Sequence, residues 1–191
     1  DVRQANVFGM TPLMLASVTG NSEVIRLLLD AGAPANAANA EGQTPLMVVA
    51  RTGNVEAAKL LLRKGAKIDA HESWGGQTAL MWAAAQSQAN MIEFLLSRGA
   101  QVNERSTVRD WQRRVTAEGR PKDMNRGGLT PLLFAAREGC IDCMRVLLSH
   151  GADIDLADPD GTTPLILALL NRNYDAAKFL IGAGADVNLW D

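Results

Sequence analysis

Apolar residues recur along this chain in short clusters separated by polar and glycine-containing turns. One cluster is a triplet of large apolar residues that appears five times, at 27–29, 60–62, 94–96, 146–148 and 179–181. A second cluster follows a threonine and, in most copies, a proline, as in Thr11-Pro12-Leu13-Met14. Threonine caps a helix N-terminus and proline fits its first turn, so each such start predicts a short helix. Each triplet predicts a second helix.

The two clusters repeat with one period. A glycine precedes each opening threonine by two residues, and a Gly-Ala pair begins 21 residues after it. The threonines are 33, 34, 52 and 33 residues apart, at Thr11, Thr44, Thr78, Thr130 and Thr163. The chain is therefore a tandem array, with one extra residue before Thr78 and an insertion of 19 residues before Thr130.

A further glycine marks the end of the first helix in three of the repeats, at Gly20, Gly53 and Gly139. Glycine readily takes the left-handed conformation that ends many helices. Ser87 and Arg172 occupy this position in the third and fifth repeats. We therefore expect those two turns to be built differently.

The repeats resemble those of the ankyrin repeat family in their period, their Thr-Pro-Leu start and the Gly-Ala-Asp-Val-Asn sequence at 184–188. The resemblance implies an all-α fold, a solenoid of five helix–turn–helix repeats with β-turn fingers. It implies one domain over 1–191, with repeats beginning near residues 6, 39, 73, 125 and 158 and a long finger insertion at 105–126. The register leaves a partial repeat at both termini, which indicates a segment of a longer array.

One position departs from the family pattern. The family usually has histidine after Thr-Pro-Leu, where it links turns by hydrogen bonds. This chain instead has Met14, Met47, Met81, Leu133 and Ile166. We expect apolar packing at this position.

Composition narrows the functional classes. The 191 residues are 47% hydrophobic and 5% aromatic, and the formal net charge is −2. These values are typical of a soluble globular chain and do not indicate a general nucleic-acid or membrane-surface binder. No run of about 18 apolar residues is present, so no membrane span is expected. The compartment stays open between cytoplasmic and secreted or periplasmic.

The chain lacks a recognisable set of catalytic groups, so we expect no enzyme activity, cofactor or metal site. His71 lies in a turn and His150 at a helix end that favours a partly charged ring, and both are interpreted as solvated. No glycine-rich phosphate loop or small-molecule substrate site is evident. Cys140 and Cys143 have three interpretations: a buried residue beside an incidental thiol, a local disulfide, or a redox or metal pair.

The family resemblance implies a protein partner bound on the concave side, between the fingers and the ends of the first helices. Tryptophan and arginine dominate many protein interfaces. By register, the candidate contact residues are Phe8, Met10, Arg51, Trp74, Gln77, Gln86, Trp111, Arg113, Arg114, Arg126, Leu129 and Arg137. Such an array is a protein–protein interaction scaffold. The alternative is a recruitment or structural module of a larger enzyme whose catalytic domain lies outside this segment.

The insertion at 105–126 is basic. It carries seven basic and three acidic residues, whereas the rest of the chain carries 12 basic and 18 acidic residues. Residues 109–115 are predicted to form a short helix with Trp111 and Val115 on one side. The loop is interpreted as an internal lid over the groove, as a contact for an acidic partner segment, or as a loop without function. A nucleic acid partner is not favoured, because a single short loop supplies these arginines.

Overall fold

The repeats fold into pairs of short antiparallel helices. The computed structural model describes residues 1–109 and 126–189, and in them ten helices form five pairs. These residues contain one isolated antiparallel β-bridge, between Val108 and Gly127, so the fold is the expected all-α solenoid. The helices are α1 (Pro12–Thr19), α2 (Ser22–Asp30), α3 (Pro45–Thr52), α4 (Val55–Arg63), α5 (Ala79–Ala85), α6 (Ala89–Ser97), α7 (Pro131–Glu138), α8 (Ile141–Ser149), α9 (Pro164–Leu170) and α10 (Tyr174–Gly182).

The recurring threonines begin the first helix of every pair, as predicted. The hydroxyl oxygen of Thr11 accepts a hydrogen bond from the backbone N–H of Met14, and the other four threonines do the same in their repeats. This bond satisfies one of the N–H groups that a helix start leaves without a partner. The residue after Thr-Pro-Leu is fully buried in the first four repeats, which confirms apolar packing where the family usually has histidine.

The turns at Ser87 and Arg172 correct one prediction. Both residues adopt positive φ angles, +56° and +61°, close to the +67° of Gly20. These turns are therefore built in the same way as the glycine turns, not differently. Packing of the helix pair fixes the conformation of the turn, and the two side chains accept a left-handed backbone that costs about 1–2 kcal/mol.

We expect Ser87→Gly to raise the free energy of unfolding by about 0.5–1 kcal/mol, since relief of the left-handed strain exceeds the entropy that glycine adds to the unfolded chain. Urea unfolding followed by circular dichroism measures the change. Asn90→Gly, an exposed position in the first turn of α6, is the matched control and should lower stability by about 0.3–0.5 kcal/mol. A destabilised Ser87→Gly variant would show that the serine side chain makes a stabilising contact that outweighs the backbone strain.

The repeats stack so that the five first helices form one row and the five second helices form another. The core lies between the rows, where Leu80 of α5 and Leu95 of α6 are both buried. The first helices pack closely because alanines such as Ala84 and Ala136 face their neighbours, and the second helices pack less closely. The first-helix row is therefore the inner, concave side. None of the helices in 1–109 and 126–189 has the length and apolar character needed to cross a bilayer.

A polar ladder sets the register between neighbouring repeats. The side chain of Asn36 accepts a hydrogen bond from the backbone N–H of Lys67, 2.8 Å away, and donates to the carbonyl of Gly65 at 2.7 Å. Asp69, Asn103 and Asp155 accept the corresponding N–H of the repeat that follows each of them. Each bond fixes one repeat against the next, so residues on the inner side keep fixed relative positions.

Candidate functional site

A β-turn finger precedes the first helix of each repeat, and a polar side chain at its base holds its shape. In the second finger, residues 39–43, the Asn39 side-chain oxygen accepts from the backbone N–H groups of Glu41 at 3.0 Å and Gln43 at 2.9 Å. Asn6 and Asp158 make the same pair of bonds in the first and last fingers. A short side chain with one acceptor oxygen is thus enough for a finger of five residues.

The third finger, residues 72–77, is one residue longer and uses glutamate at its base. Glu72 is 6% exposed, and its carboxylate accepts from the N–H groups of Trp74 (2.6 Å), Gly75 (2.7 Å) and Gln77 (2.9 Å). The additional methylene of glutamate reaches into the longer turn, where asparagine would be too short. The finger therefore presents Trp74 in a fixed position with 75% of its surface exposed.

The insertion extends the fourth finger. Ser106 takes the position of Asn39: its N–H donates to the carbonyl of Leu129 at 3.0 Å, and its hydroxyl accepts from the Leu129 N–H at 2.9 Å. Arg105, Ser106 and Thr107 thus keep the regular register, and the extension begins at Val108. Its base is a short antiparallel stem, in which Val108 pairs with Gly127 and the N–H of Arg109 donates to the carbonyl of Arg126.

Neighbouring fingers are joined edge to edge. Ser73 N–H donates to the carbonyl of Glu41 at 2.8 Å, and Thr107 N–H donates to the carbonyl of Gly75 at 2.7 Å. Pro159 is the equivalent residue of the last finger. It has no N–H and therefore cannot donate the corresponding hydrogen bond to the fourth finger. There the Arg105 guanidinium donates to the carbonyl of Ala157 at 2.7 Å instead. The fingers form one connected edge on the inner side.

Three arginine–aromatic pairs line the inner side at the centre of the array. The guanidinium of Arg109 lies 4.7 Å from the ring centroid of Trp74 and donates to the carbonyl of Trp74. The two other pairs are Arg51 with Trp82, at 5.6 Å, and Arg137 with Phe134, at 4.9 Å. Stacking on a ring stabilises each cation and restricts where its charge can lie.

Two adjoining cavities lie beside these pairs and share Trp74 and Gln77; together we call them the inner groove. The first has a volume of about 310 Å³ and is lined by Glu41, Gln43, Glu72, Trp74, Gln77 and Trp82. The second has a volume of about 200 Å³, and the described residues that line it include Ser106, Arg109, Leu129, Phe134 and Arg137. The side chains that line the first cavity therefore include two carboxylates, and the described ones that line the second include two arginines.

Comparison with known families agrees with this architecture. A family model described as ankyrin repeats (3 copies) matches residues 1–72, 31–106 and 114–191. The chain belongs to the ankyrin repeat family. Ankyrin repeats are generally protein–protein interaction modules and are typically non-catalytic.

Several predicted contact residues lie on the inner side of this ankyrin array. Four of them are exposed: Phe8, Arg51, Trp74 and Gln86. Four others are half-buried: Met10, Gln77, Arg126 and Arg137. Arg126 pairs with Asp160 at 3.7 Å and so contributes to the finger edge. Trp111, Arg113 and Arg114, with the predicted helix around them, lie outside the described residues.

Leu129 was also predicted to be a contact residue, and this prediction is wrong because the residue is buried. Only 4% of its surface is exposed. Both backbone hydrogen-bonding groups of Leu129 are bonded to Ser106, and burial removes its apolar side chain from water. It packs at the base of the second cavity as part of the core.

Glu72, Arg109 and Trp82 contribute to the site but were not among the predicted contact residues. The signal for Glu72 is an acidic residue at a finger base that coincides with the one extra residue before Thr78. Trp82 shows an unusual feature: its indole N–H is buried and has no acceptor among the described residues. A buried donor without a partner destabilises a fold, and such atoms often occur at functional positions.

Cys140 and Cys143 form a disulfide in the structure. Cys140 is the N-cap residue of α8, and its sulfur accepts from the N–H of Cys143 at 3.2 Å, where Asn21 and Asn54 supply an oxygen in other repeats. Of the three interpretations, the local disulfide is the one that the geometry matches. The bond lies within one helix turn and does not cross between repeats.

The histidines pair with carboxylates of other repeats. His71 lies 3.3 Å from Glu104, and His150, the C-cap residue of α8, lies 3.5 Å from Glu93. Within residues 1–109 and 126–189, no three His, Cys, Asp or Glu side chains are grouped so as to hold a metal ion. The positions of both histidines are thus explained by contacts with carboxylates on the surface.

Proposed function

We propose that this ankyrin array is a scaffold that binds a segment of a partner protein in the inner groove. The observation that carries the proposal is the position of Trp74: this large aromatic side chain is 75% exposed on a finger whose backbone is held by three hydrogen bonds to Glu72. Exposing such a side chain costs free energy, so its fixed display beside two cavities is best explained by a partner.

Preorganisation supports the same proposal. Three arginines are each stacked on an aromatic ring: Arg51, Arg109 and Arg137. Backbone hydrogen bonds join the second, third and fourth fingers to one another. Side chains that are already ordered lose little conformational entropy when a partner binds. The mixture of tryptophan, arginine and amide groups is typical of the centre of a protein interface.

Site-directed photo-crosslinking in the native cells tests the proposal. A benzoylphenylalanine in place of Gln77, which lines both cavities, should give a discrete protein adduct after irradiation. The same residue in place of Glu93, exposed on α6 of the outer row, is the matched control and should not give that adduct. An adduct at Glu93 and none at Gln77 would place the partner on the outer side and refute the proposal.

A further inference from the structure

We infer that the segment bound in the inner groove is extended and acidic, with two of its carboxylates paired to Arg51 and Arg137. The inference rests on the proposed function and adds the chemistry of the partner. Arg51 and Arg137 occupy equivalent positions in the second and fourth repeats, seven residues after the capping threonine. The third repeat has Ala85 there, so two long cationic side chains flank a small residue.

The charges of the two arginines are available to a ligand to different degrees. No carboxylate of the described residues forms an ion pair with Arg51, which is exposed and stacked on Trp82. Arg137 donates from Nε to Glu138 at 2.9 Å, which leaves the other nitrogens of its guanidinium for a second acceptor. Carboxylates are the groups that a guanidinium binds best, through paired charge-assisted hydrogen bonds.

The acidic residues of the groove do not cancel this preference. Glu72 is covered by three backbone N–H groups, and Glu41 accepts from the Gln43 amide at 2.8 Å in the first cavity. Among the described residues that line the second cavity, the charged ones are the arginines Arg109 and Arg137. Glu41 and Glu72 are thus engaged by hydrogen bonds in the first cavity, and the places that favour negative charge are Arg51 and the second cavity with Arg137.

The spacing sets the form of the ligand. Packed helices lie roughly 8–10 Å apart, so arginines two repeats apart are separated by roughly 16–20 Å. An extended chain rises about 3.3 Å per residue, and alternate residues point to the same side. Two acidic residues about six positions apart therefore match the two arginines. Apolar side chains between them would lie against Trp74 and Trp82.

Selection from a displayed library of random 12-residue peptides tests the inference. On the full chain, the selected peptides should be enriched in pairs of Asp or Glu about six residues apart. On the Arg51→Glu/Arg137→Glu variant, the same positions should become Lys or Arg. Arg51→Gln/Arg137→Gln should weaken binding of a selected acidic peptide by about tenfold or more, with circular dichroism to verify the fold.

The outer row of helices offers a matched control. Arg98 and Arg145 each lie 5.3 Å from an aromatic ring, Phe94 and Phe179, so Arg98→Glu/Arg145→Glu makes the same charge change on the other side. This variant should keep the acidic preference. Acidic enrichment that survives Arg51→Glu/Arg137→Glu, or that both variants abolish equally, would overturn the inference.

The outcomes also separate this inference from the proposed function. Selected peptides that crosslink at Gln77 but show no charge bias would overturn the inference and leave the groove as a binding surface. Selected peptides that crosslink at Glu93 and not at Gln77 would overturn both. Acidic peptides that crosslink at Gln77 and lose affinity only with the Arg51 and Arg137 changes support both.

Discussion

Replacing Glu72 with alanine is expected to lower the free energy of unfolding by about 3 kcal/mol, because three backbone N–H groups lose a charged acceptor in a site that water reaches poorly. Chemical unfolding in urea, followed by circular dichroism, measures the loss. The third finger should also lose its shape, so backbone hydrogen–deuterium exchange at residues 72–77 should become faster.

The length of the Glu72 side chain supplies the control. Glu72→Asp retains the charge but is one methylene too short for a finger with an extra residue, so we expect a loss of about 2 kcal/mol. Combining Glu72→Asn with deletion of Gly75 recreates the length and base residue of the second finger and should recover most of the stability. Equal stability of the aspartate variant and the native chain would show that the length argument is wrong.

Gly76→Ala should be the second strongly destabilising change, by about 3–4 kcal/mol. Gly76 has a φ of +62°, and a Cβ atom there would lie 2.9 Å from the backbone nitrogen of Thr107 in the next finger. The substitution therefore combines a strained backbone with a clash at the finger edge. Thermal and urea unfolding of the purified chain give the value.

Gly65→Ala separates these two causes. Gly65 has a φ of +83°, and no atom lies within 4 Å of the position that its Cβ would take. This variant should lose only the backbone part, about 1–2 kcal/mol. If Gly76→Ala is no more destabilising than Gly65→Ala, the contact between the third and fourth fingers contributes nothing to stability.

Features that depend on residue type at a repeated position could be predicted from the sequence. The threonine caps and the buried residues after Thr-Pro-Leu follow from local hydrogen bonding and hydrophobic burial, and both are confirmed. The turns at Ser87 and Arg172 were predicted wrongly, because local backbone preference indicated a different turn and the packing of the helix pair overrides it.

The site was less predictable because it depends on contacts between repeats. The repeat register identified Trp74 and Arg137 as candidate contact residues, but it does not show which neighbouring residues a side chain can reach. The hydrogen bonds from the third finger to Glu72 and the stacking of Arg109 on Trp74 are visible only in the folded structure. Leu129 was misplaced for the same reason: the Ser106 contact that holds its backbone comes from residues 23 positions earlier in the chain.

Hydrogen–deuterium exchange of the full chain, with and without the partner identified by crosslinking at Gln77, tests the central claim most directly. Binding in the inner groove should slow exchange in the fingers at 39–43 and 72–77 and at the stem residues 106–109, and should leave the outer helices α4 and α8 unchanged. Protection confined to α4, α6 and α8, with unchanged fingers, would contradict the proposal that the inner groove binds the partner.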